Sequence, residues 1–343
     1  MNTVMSSATK ALTVTNLRTV FRSGGFDIAA LQGVSFALDA GGVMVLLGES
    51  GSGKSVTARS IMRLYGTQAE ISGSVRLGER ELLTLPEPEM RRVRGRTIGL
   101  VPQDPTGALD PLRSIGSQLV EMLRTSGTVT DRRAAKARSL ELLAMVGIPD
   151  PLRVARSRPH QLSGGMRQRA VIAIAVSCEP SILIADEPTT ALDVTVQAQV
   201  LELFLDLQQR LGMAMILVTH DVGVAEEIGG TVGVMYAGRM VEVGPSADVL
   251  RTPHHPYTKG LLDSLPIPGI ERGSLPVIAG RPPLTGEQLP GCPFSPRCPT
   301  AVTRCSSDRP PLVAVGPDRS AACPVVGGAD GAPSPAHGEE VKV

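Results

Sequence analysis

The sequence predicts an α/β fold built around a largely parallel sheet, and three apolar runs support this prediction. Val43–Leu47 is a continuous apolar run, as expected of a strand that is buried on both faces. Ser181–Asp186 and Ala214–Thr219 have the same character, and a helical pattern over Val194–Leu211 separates them. A strand, a helix and a strand in succession are typical of a doubly wound α/β core.

Shorter patterns predict the remaining elements of this core. Leu12–Leu17 alternates apolar and polar residues like a half-buried strand, and Val34–Leu38 is similar. A helix over about Lys54–Leu64 and a short strand over Thr97–Val101 complete the predicted first half.

Between about residues 104 and 178 the pattern changes to helical spacing. Leu140, Leu143, Ala144 and Gly147 fit one helix that begins near Thr130. We therefore expect a helical subdomain inserted within an α/β domain that covers residues 1–250.

The composition changes after about residue 250, where Pro, Gly and Cys become frequent. This change predicts a small accessory region over residues 251–325. The last stretch, residues 326–343, is rich in Gly, Ala, Pro and charge, and we expect it to be disordered.

Composition also limits the classes of function. The net charge of the 343 residues is +1, which gives no argument for a nucleic-acid partner. No apolar run approaches the roughly 18–20 residues needed to span a bilayer, and Met1–Lys10 lacks the apolar core of a signal peptide. We expect a cytoplasmic protein that reaches a membrane only through a partner.

A phosphate-binding loop follows the first buried strand and precedes a predicted helix. It fits the pattern G-x-x-x-x-G-K-[ST] in full, and a chance glycine-rich turn is disfavoured by this strand–helix context. Its glycines let backbone N–H groups wrap the phosphates, its lysine reaches the β- and γ-phosphates, and its serine hydroxyl binds Mg²⁺. The loop reads Gly48-Glu49-Ser50-Gly51-Ser52-Gly53-Lys54-Ser55.

Polar side chains follow the other predicted strands. Asp186 and Glu187 lie at the end of the second buried strand. Asp186 can hold Mg²⁺, and Glu187 can activate water. Gln103 and His220 follow two further strands, and the carboxyl ends of parallel strands share one edge of the sheet. Gln103 could therefore contact Mg²⁺ or the water, and His220 could bond the γ-phosphate.

A second anion-binding turn lies about a hundred residues after the loop. Its Ser-Gly-Gly sequence can cap a helix, and it also leaves the N-terminus of that helix bare for an anion. Two separate phosphate-binding ends on one chain favour a dimer in which each chain completes the site of the other. The turn reads Leu162-Ser163-Gly164-Gly165-Met166-Arg167-Gln168.

Together these motifs resemble the nucleotide-binding subunit of an ABC transporter, and the resemblance covers about residues 10–250. Gly48–Ser55 matches Walker A, Gln103 the Q-loop, Leu162–Gln168 the signature and Ile182–Glu187 Walker B. The D-loop would be Ala191-Leu192-Asp193 and the switch histidine His220, and all six motifs occur in the order of the family.

The resemblance implies a mechanism and a set of partners. Two nucleotide-binding chains would close around two ATP molecules, with Ser163, Gly164 and Gly165 of one chain capping the γ-phosphate held by the other. Glu187 would activate water, Asp193 would lie at the nucleotide, and Gln103 would relay closure to two membrane-spanning permease subunits. An aromatic residue upstream of Walker A would stack on adenine; Phe21 is preferred over Phe26.

Two further segments resemble the oligopeptide/dipeptide/nickel branch of ABC importers. They are His255–Leu262 and the stretch from Gln103-Asp104-Pro105 to Leu109-Asp110-Pro111. The branch implies an energising subunit at the cytoplasmic face of the membrane, with an extracytoplasmic solute-binding protein and often a different second nucleotide-binding chain. Peptides are the expected solute, and nickel or another small solute is the alternative.

Four cysteines form a cluster in the accessory region: Cys292, Cys298, Cys305 and Cys323. Zinc sites usually contain cysteines two to four residues apart, whereas the first two gaps here are wider. Iron–sulfur clusters accept varied spacing, and the resemblance to dipeptide-type subunits implies a [4Fe–4S] cluster. Zinc and unligated thiols remain alternatives.

Two other readings of the whole chain remain open. The first is an ABC ATPase without a transport role, such as a translation or DNA-repair factor, although the chain has neither a second cassette nor a long coiled-coil insert. The second is a redox-sensing function of the cysteines, which is compatible with transport.

Overall fold

The computed structural model describes residues 10–23, 26–190, 192–265, 276–287 and 289–325. It divides the chain into two compact units. The first unit comprises residues 1–11, 38–43 and 84–218, and the second comprises residues 12–37, 44–83 and 219–343.

The strands of the described residues are spread over both units. In chain order they are β1 (Lys10–Ser23), β2 (Phe26–Asp39), β3 (Val43–Leu47), β4 (Ala69–Leu77), β5 (Arg80–Glu81), β6 (Ile98–Val101), β7 (Ile182–Asp186), β8 (Ala214–Thr219), β9 (Thr231–Tyr236), β10 (Arg239–Pro245), β11 (Val313–Gly316) and β12 (Arg319–Ala321).

The α-helices of the described residues are likewise given in chain order. They are α1 (Lys54–Ile61), α2 (Glu87–Arg96), α3 (Ile115–Thr125), α4 (Arg132–Met145), α5 (Pro151–Arg156), α6 (Gly164–Val176), α7 (Val194–Leu211), α8 (Val222–Ile228), α9 (Ser246–Arg251), α10 (Pro256–Asp263) and α11 (Arg304–Ser307).

The first unit contains parallel strands in the order β8–β7–β6. Every residue of β7 is buried, which explains why its sequence is a continuous apolar run rather than an alternating one. Because the three strands are parallel, the carboxyl ends of β6 and β7 lie at the same edge. This edge carries the polar residues that follow Val101 and Ala185.

The helices α3, α4, α5 and α6 pack together in the first unit and form the expected helical subdomain. Short polar side chains begin each of them by accepting a backbone N–H, which is the preferred way to satisfy the first turn of a helix. The capping residues are Ser114, Asp131, Asp150 and Ser163.

The second unit contains two sheets. One has the order β2–β1–β4–β5, and the other includes the order β11–β12–β10–β9–β3. Its strand β12 comes from the carboxy-terminal region and pairs antiparallel with β10. Arg319 of β12 also donates to the fully buried carboxylate of Glu242 on β10, with Nη2 and Oε1 2.8 Å apart.

The structure confirms the α/β class and the predicted bounds of β3, α7 and β8. The helix after the glycine loop ends at Ile61 instead of Leu64, because Arg63 adopts the left-handed region with φ 51°. The strand predicted over Leu12–Leu17 extends over the longer β1, whose later residues pair with β4.

Within the described part of the chain, no helix is both long and apolar enough to cross a membrane. Ala191 of the expected D-loop and the predicted disordered stretch, residues 326–343, lie outside the described residues.

Candidate nucleotide-binding site

The glycine loop of the second unit has a backbone that side chains would disturb. A Cβ on Gly48 would lie 2.3 Å from the carbonyl oxygen of Met235. Gly53 has φ 104°, and a Cβ there would lie 2.9 Å from Leu31. Glycine is therefore needed at both ends of the loop for steric and conformational reasons.

The lysine of this loop is only 4% exposed and points back along the loop. Its Nζ donates to the carbonyl oxygens of Gly48 and Glu49 at 2.8 and 3.0 Å. Ser55 follows in the first turn of α1, half-buried. Lys54 and Ser55 are thus presented by one loop–helix junction, the arrangement that suits a phosphate and its Mg²⁺.

Two carboxylates end the buried strand β7 of the first unit. Asp186 is 1% exposed, whereas Glu187 is half-buried and turns away from the strand with φ 47°. The backbone N–H of Glu187 still donates to Val218 at 2.9 Å, which fixes the start of this turn. A left-handed non-glycine residue is uncommon and often occurs at functional sites.

The carboxylate of Glu187 accepts two side-chain hydrogen bonds in the first unit. Gln103 donates through Nε2 at 3.1 Å, and Thr190 donates through Oγ1 at the same distance, both to Oε2. The structure thus brings together two residues that the sequence placed at one sheet edge. Thr190 was missed, and its only signal was its place three residues after Glu187, within one turn.

Replacing Thr190 with alanine should lower kcat for ATP hydrolysis about 5-fold, because a net hydrogen bond contributes about 1 kcal/mol. Thr190→Ser keeps the hydroxyl and should retain most of the activity. Steady-state ATPase assays of both variants test this. Equal losses in the two variants would show that the methyl group, rather than the hydroxyl, matters.

The Ser-Gly-Gly turn of the first unit begins helix α6. Ser163 Oγ accepts the backbone N–H of Met166 at 3.3 Å, so the capping interpretation is correct. Ser163 and Gly164 are nevertheless exposed, and Gly165 is half-exposed. Asp193 is also exposed and caps α7. The start of α6 therefore remains open to a ligand from outside this unit.

His220 and the two candidate aromatic residues belong to the second unit. His220 follows β8 directly and is exposed. Phe21 is half-buried, and its ring lies edge-on to Tyr65 with the centroids 4.8 Å apart. Phe26 is 77% exposed. Both phenylalanines keep surface that could contact a base.

The four clustered cysteines belong to the second unit, and three of them, Cys292, Cys305 and Cys323, are buried. Burial raises the pKa of the Cys292 thiol, the backbone N–H of Phe294 lowers it, and the other three cysteines raise it further. The Cys292 N–H donates to the Cys305 carbonyl oxygen at 2.8 Å. Among the described residues, no three His, Cys, Asp or Glu side chains are arranged to hold one metal ion. Cysteine thiols are the usual ligands of iron–sulfur clusters, and they must lose their protons to bind one.

Comparisons with known proteins identify the family and the fold of the chain. The family described as ABC transporter matches residues 31–190, and the family described as oligopeptide/dipeptide transporter, C-terminal region, matches residues 241–305. The ATP-binding cassette MJ0796, solved as a dimer bound to ADP and Pi, matches with a TM-score of 0.61 and 28% identity. That match covers 68% of this chain and 98% of MJ0796.

Two curated relatives are similar over most of this chain. The dipeptide transport ATP-binding protein DppD of Bacillus subtilis is 47% identical over 298 residues, which are 86% of this chain and 89% of DppD. The oligopeptide transport ATP-binding protein OppD of Mycobacterium tuberculosis is 45% identical over 313 residues, which are 91% of this chain but 51% of OppD.

The fold and its motifs thus define an ATPase of the ATP-binding cassette class. The chain belongs to the family of ATP-binding proteins of oligopeptide and dipeptide ABC transporters.

Proposed function

We propose that this chain hydrolyses ATP to drive the import of di- or oligopeptides across the cytoplasmic membrane. The observation that carries the proposal is the combination of a cassette with the oligopeptide/dipeptide C-terminal region in a single chain. DppD of Bacillus subtilis, a dipeptide transport protein by name, matches across both parts.

Each site residue receives a chemical role in this proposal. The loop from Gly48 to Ser55 binds the triphosphate, with Lys54 neutralising phosphate charge and Ser55 offering its hydroxyl to Mg²⁺. Asp186 would help to hold Mg²⁺, and Gln103 would contact the metal or the attacking water. Glu187 takes a proton from the attacking water as the water oxygen bonds to the γ-phosphorus and the bond to the β,γ-bridging oxygen breaks, which releases ADP.

The remaining roles concern recognition of the γ-phosphate and the base. Ser163, Gly164, Gly165 and Asp193 complete the nucleotide site of a second cassette chain, which the exposure of the α6 N-terminus supports. His220 bonds the γ-phosphate. Phe21 stacks on adenine, and Phe26 is the alternative.

A groove in the helical subdomain supports the proposal that the chain binds a membrane partner. It lies among α3, α4 and α5 and has a volume of about 1300 Å³, and its charged lining residues are six cations and the two acids Glu121 and Asp131. Charge complementarity favours an acidic cytoplasmic segment of a permease subunit as its occupant. The cations are Arg113, Arg124, Arg132, Arg133, Lys136 and Arg156.

Co-purification tests the proposed assembly. A tagged chain extracted from membranes with mild detergent should bring two permease subunits, a second cassette chain and, with peptide present, a solute-binding protein. Mass spectrometry of the bound solute should find peptides. Nickel in their place would favour the alternative cargo, and a chain recovered without any membrane protein would contradict the transport role.

We also propose that Cys292, Cys298, Cys305 and Cys323 hold a [4Fe–4S] cluster in the second unit. The backbone hydrogen bond from Cys292 to Cys305 and the influence of the other three cysteines on the pKa of Cys292 support a shared site. When bound, the cluster would link the segments carrying these cysteines. Zinc, bound by the same thiolates, is the alternative.

Protein purified without oxygen should therefore be brown and contain about four iron atoms per chain, the content of one [4Fe–4S] cluster. Replacing all four cysteines with serine should remove the iron, because hydroxyls are poor ligands for such clusters. Cys178→Ser is the matched control and should keep the iron. Stoichiometric zinc without iron in the wild-type chain would reverse the assignment.

A further inference from the structure

The phosphate loop carries a carboxylate at its second position, and this carboxylate is not a ligand in the proposed mechanism. Glu49 directly follows Gly48 and its side chain is 27% exposed. A negative charge in a loop that binds a triphosphate opposes binding unless another group compensates it. The compensating group is therefore of functional interest.

The carboxy-terminal region supplies that group. Arg297 donates to both carboxylate oxygens of Glu49, with Nη1–Oε2 2.9 Å and Nη2–Oε1 3.2 Å. The Arg297 side chain is 5% exposed, so water weakens its attraction to Glu49 only slightly. A two-bonded guanidinium–carboxylate pair is both strong and directional.

The remaining donors of Arg297 hold it in place. Its Nε donates to the carbonyl oxygen of Ala279 at 3.0 Å, and Nη2 donates to that of Ile278 at 3.3 Å. Its Nη1 also donates to the hydroxyl of Tyr236 at 3.2 Å. These three hydrogen bonds therefore hold the guanidinium in position beside Glu49.

A second residue of the carboxy-terminal region binds the backbone at the same position. The N–H of Glu49 donates to the hydroxyl of Tyr257, which lies on α10 and is fully buried. The Tyr257 ring packs against Tyr236 and Phe294, with centroids 4.6 and 5.4 Å away. The hydroxyl thus projects from a rigid aromatic cluster.

We propose that Arg297 and Tyr257 are positioning residues of the ATP site. Arg297 neutralises Glu49 and, together with the Tyr257 hydroxyl, holds the first turn of the phosphate loop. The carboxy-terminal region is then part of the nucleotide site, because the loop cannot keep its charge balance and geometry without it. The inference rests on the proposed role of this loop in binding ATP.

The test measures the affinity of the full-length chain for Mg–ADP by isothermal titration calorimetry. Arg297→Ala should weaken binding about 10-fold, because it leaves the Glu49 charge uncompensated. Arg297→Lys should recover part of this loss. Glu49→Gln combined with Arg297→Ala should restore the affinity to within about 2-fold of Glu49→Gln alone, since the charge to be compensated is gone.

The dependence of Mg–ADP affinity on the charge of Glu49 distinguishes this positioning role of Arg297 from a purely structural one. If Arg297 merely stabilised the fold, Glu49→Gln would not rescue it, and that result would overturn the proposal. Arg281→Ala is the matched control, since Arg281 lies in the same region, is exposed and pairs with Glu287 at 3.5 Å. It should leave the affinity unchanged.

Tyr257→Phe keeps the test decisive if Arg297→Ala fails to fold. It removes only the hydroxyl and should weaken Mg–ADP binding about 3-fold, because the Glu49 N–H loses its partner. Unchanged affinity in Tyr257→Phe and in every Arg297 variant that folds would overturn the proposal. Lys54→Ala in the same assay distinguishes failure of the positioning role from failure of the proposed ATP site. If Lys54→Ala also binds Mg–ADP normally, the proposed site itself is wrong.

Discussion

Replacing Glu187 with glutamine should lower kcat for ATP hydrolysis by about 100- to 10,000-fold, the usual contribution of a general base. The amide keeps the shape of the side chain and an oxygen that can accept from Gln103 or Thr190, but it cannot take a proton from water. ATP binding should persist. A steady-state phosphate-release assay, with nucleotide affinity measured in parallel, checks both expectations.

The same variant should accumulate an ATP-bound pair of cassette chains, because hydrolysis is what reopens the proposed dimer. Glu202→Gln is the matched control, since Glu202 is an exposed carboxylate on α7 of the same unit. It should hydrolyse ATP normally. Normal turnover in Glu187→Gln would remove Glu187 from the mechanism.

Replacing Lys54 with alanine should lower kcat/KM for ATP by at least about 100-fold, because a buried cation is lost from the phosphate site. The variant also loses the hydrogen bonds from Nζ to the carbonyl oxygens of Gly48 and Glu49, which join the two ends of the loop. Nucleotide titration should show weakened binding, which distinguishes this variant from Glu187→Gln.

Lys259→Ala provides the control for Lys54→Ala. Lys259 is an exposed cation on α10 of the same unit, and its loss should change neither the affinity nor the rate. If Lys54→Ala keeps wild-type affinity and turnover, the loop does not bind the triphosphate.

The core strands and the phosphate loop could be predicted from the sequence because local patterns determine them. β7 is apolar because both its faces are buried, and the glycines at positions 48 and 53 occur where a Cβ would clash. Ser163 and Asp193 each cap a helix, in addition to the roles proposed for them, and a cap follows a local sequence pattern.

The contacts made by the carboxy-terminal region were not predictable in this way. Arg297 and Glu49 are separated by 248 positions in the chain, and nothing local to either residue indicates the pair. The same reason applies to two other contacts between residues that are far apart in the chain. These are the pairing of β12 with β10 and the buried ion pair of Arg319 with Glu242. Thr190 was missed for a different reason, since a threonine in a turn is common and its hydrogen bond depends on the direction of the Glu187 side chain.

Peptide-dependent ATP hydrolysis by the assembled transporter tests the central claim most directly. The complex containing this chain would be reconstituted in lipid vesicles, and phosphate release would be followed as its solute-binding protein is loaded with di- or oligopeptides. We expect a rate that rises with peptide and vanishes when this chain carries Glu187→Gln. A rate that ignores peptides and rises with nickel, or that is unchanged by Glu187→Gln, would contradict it.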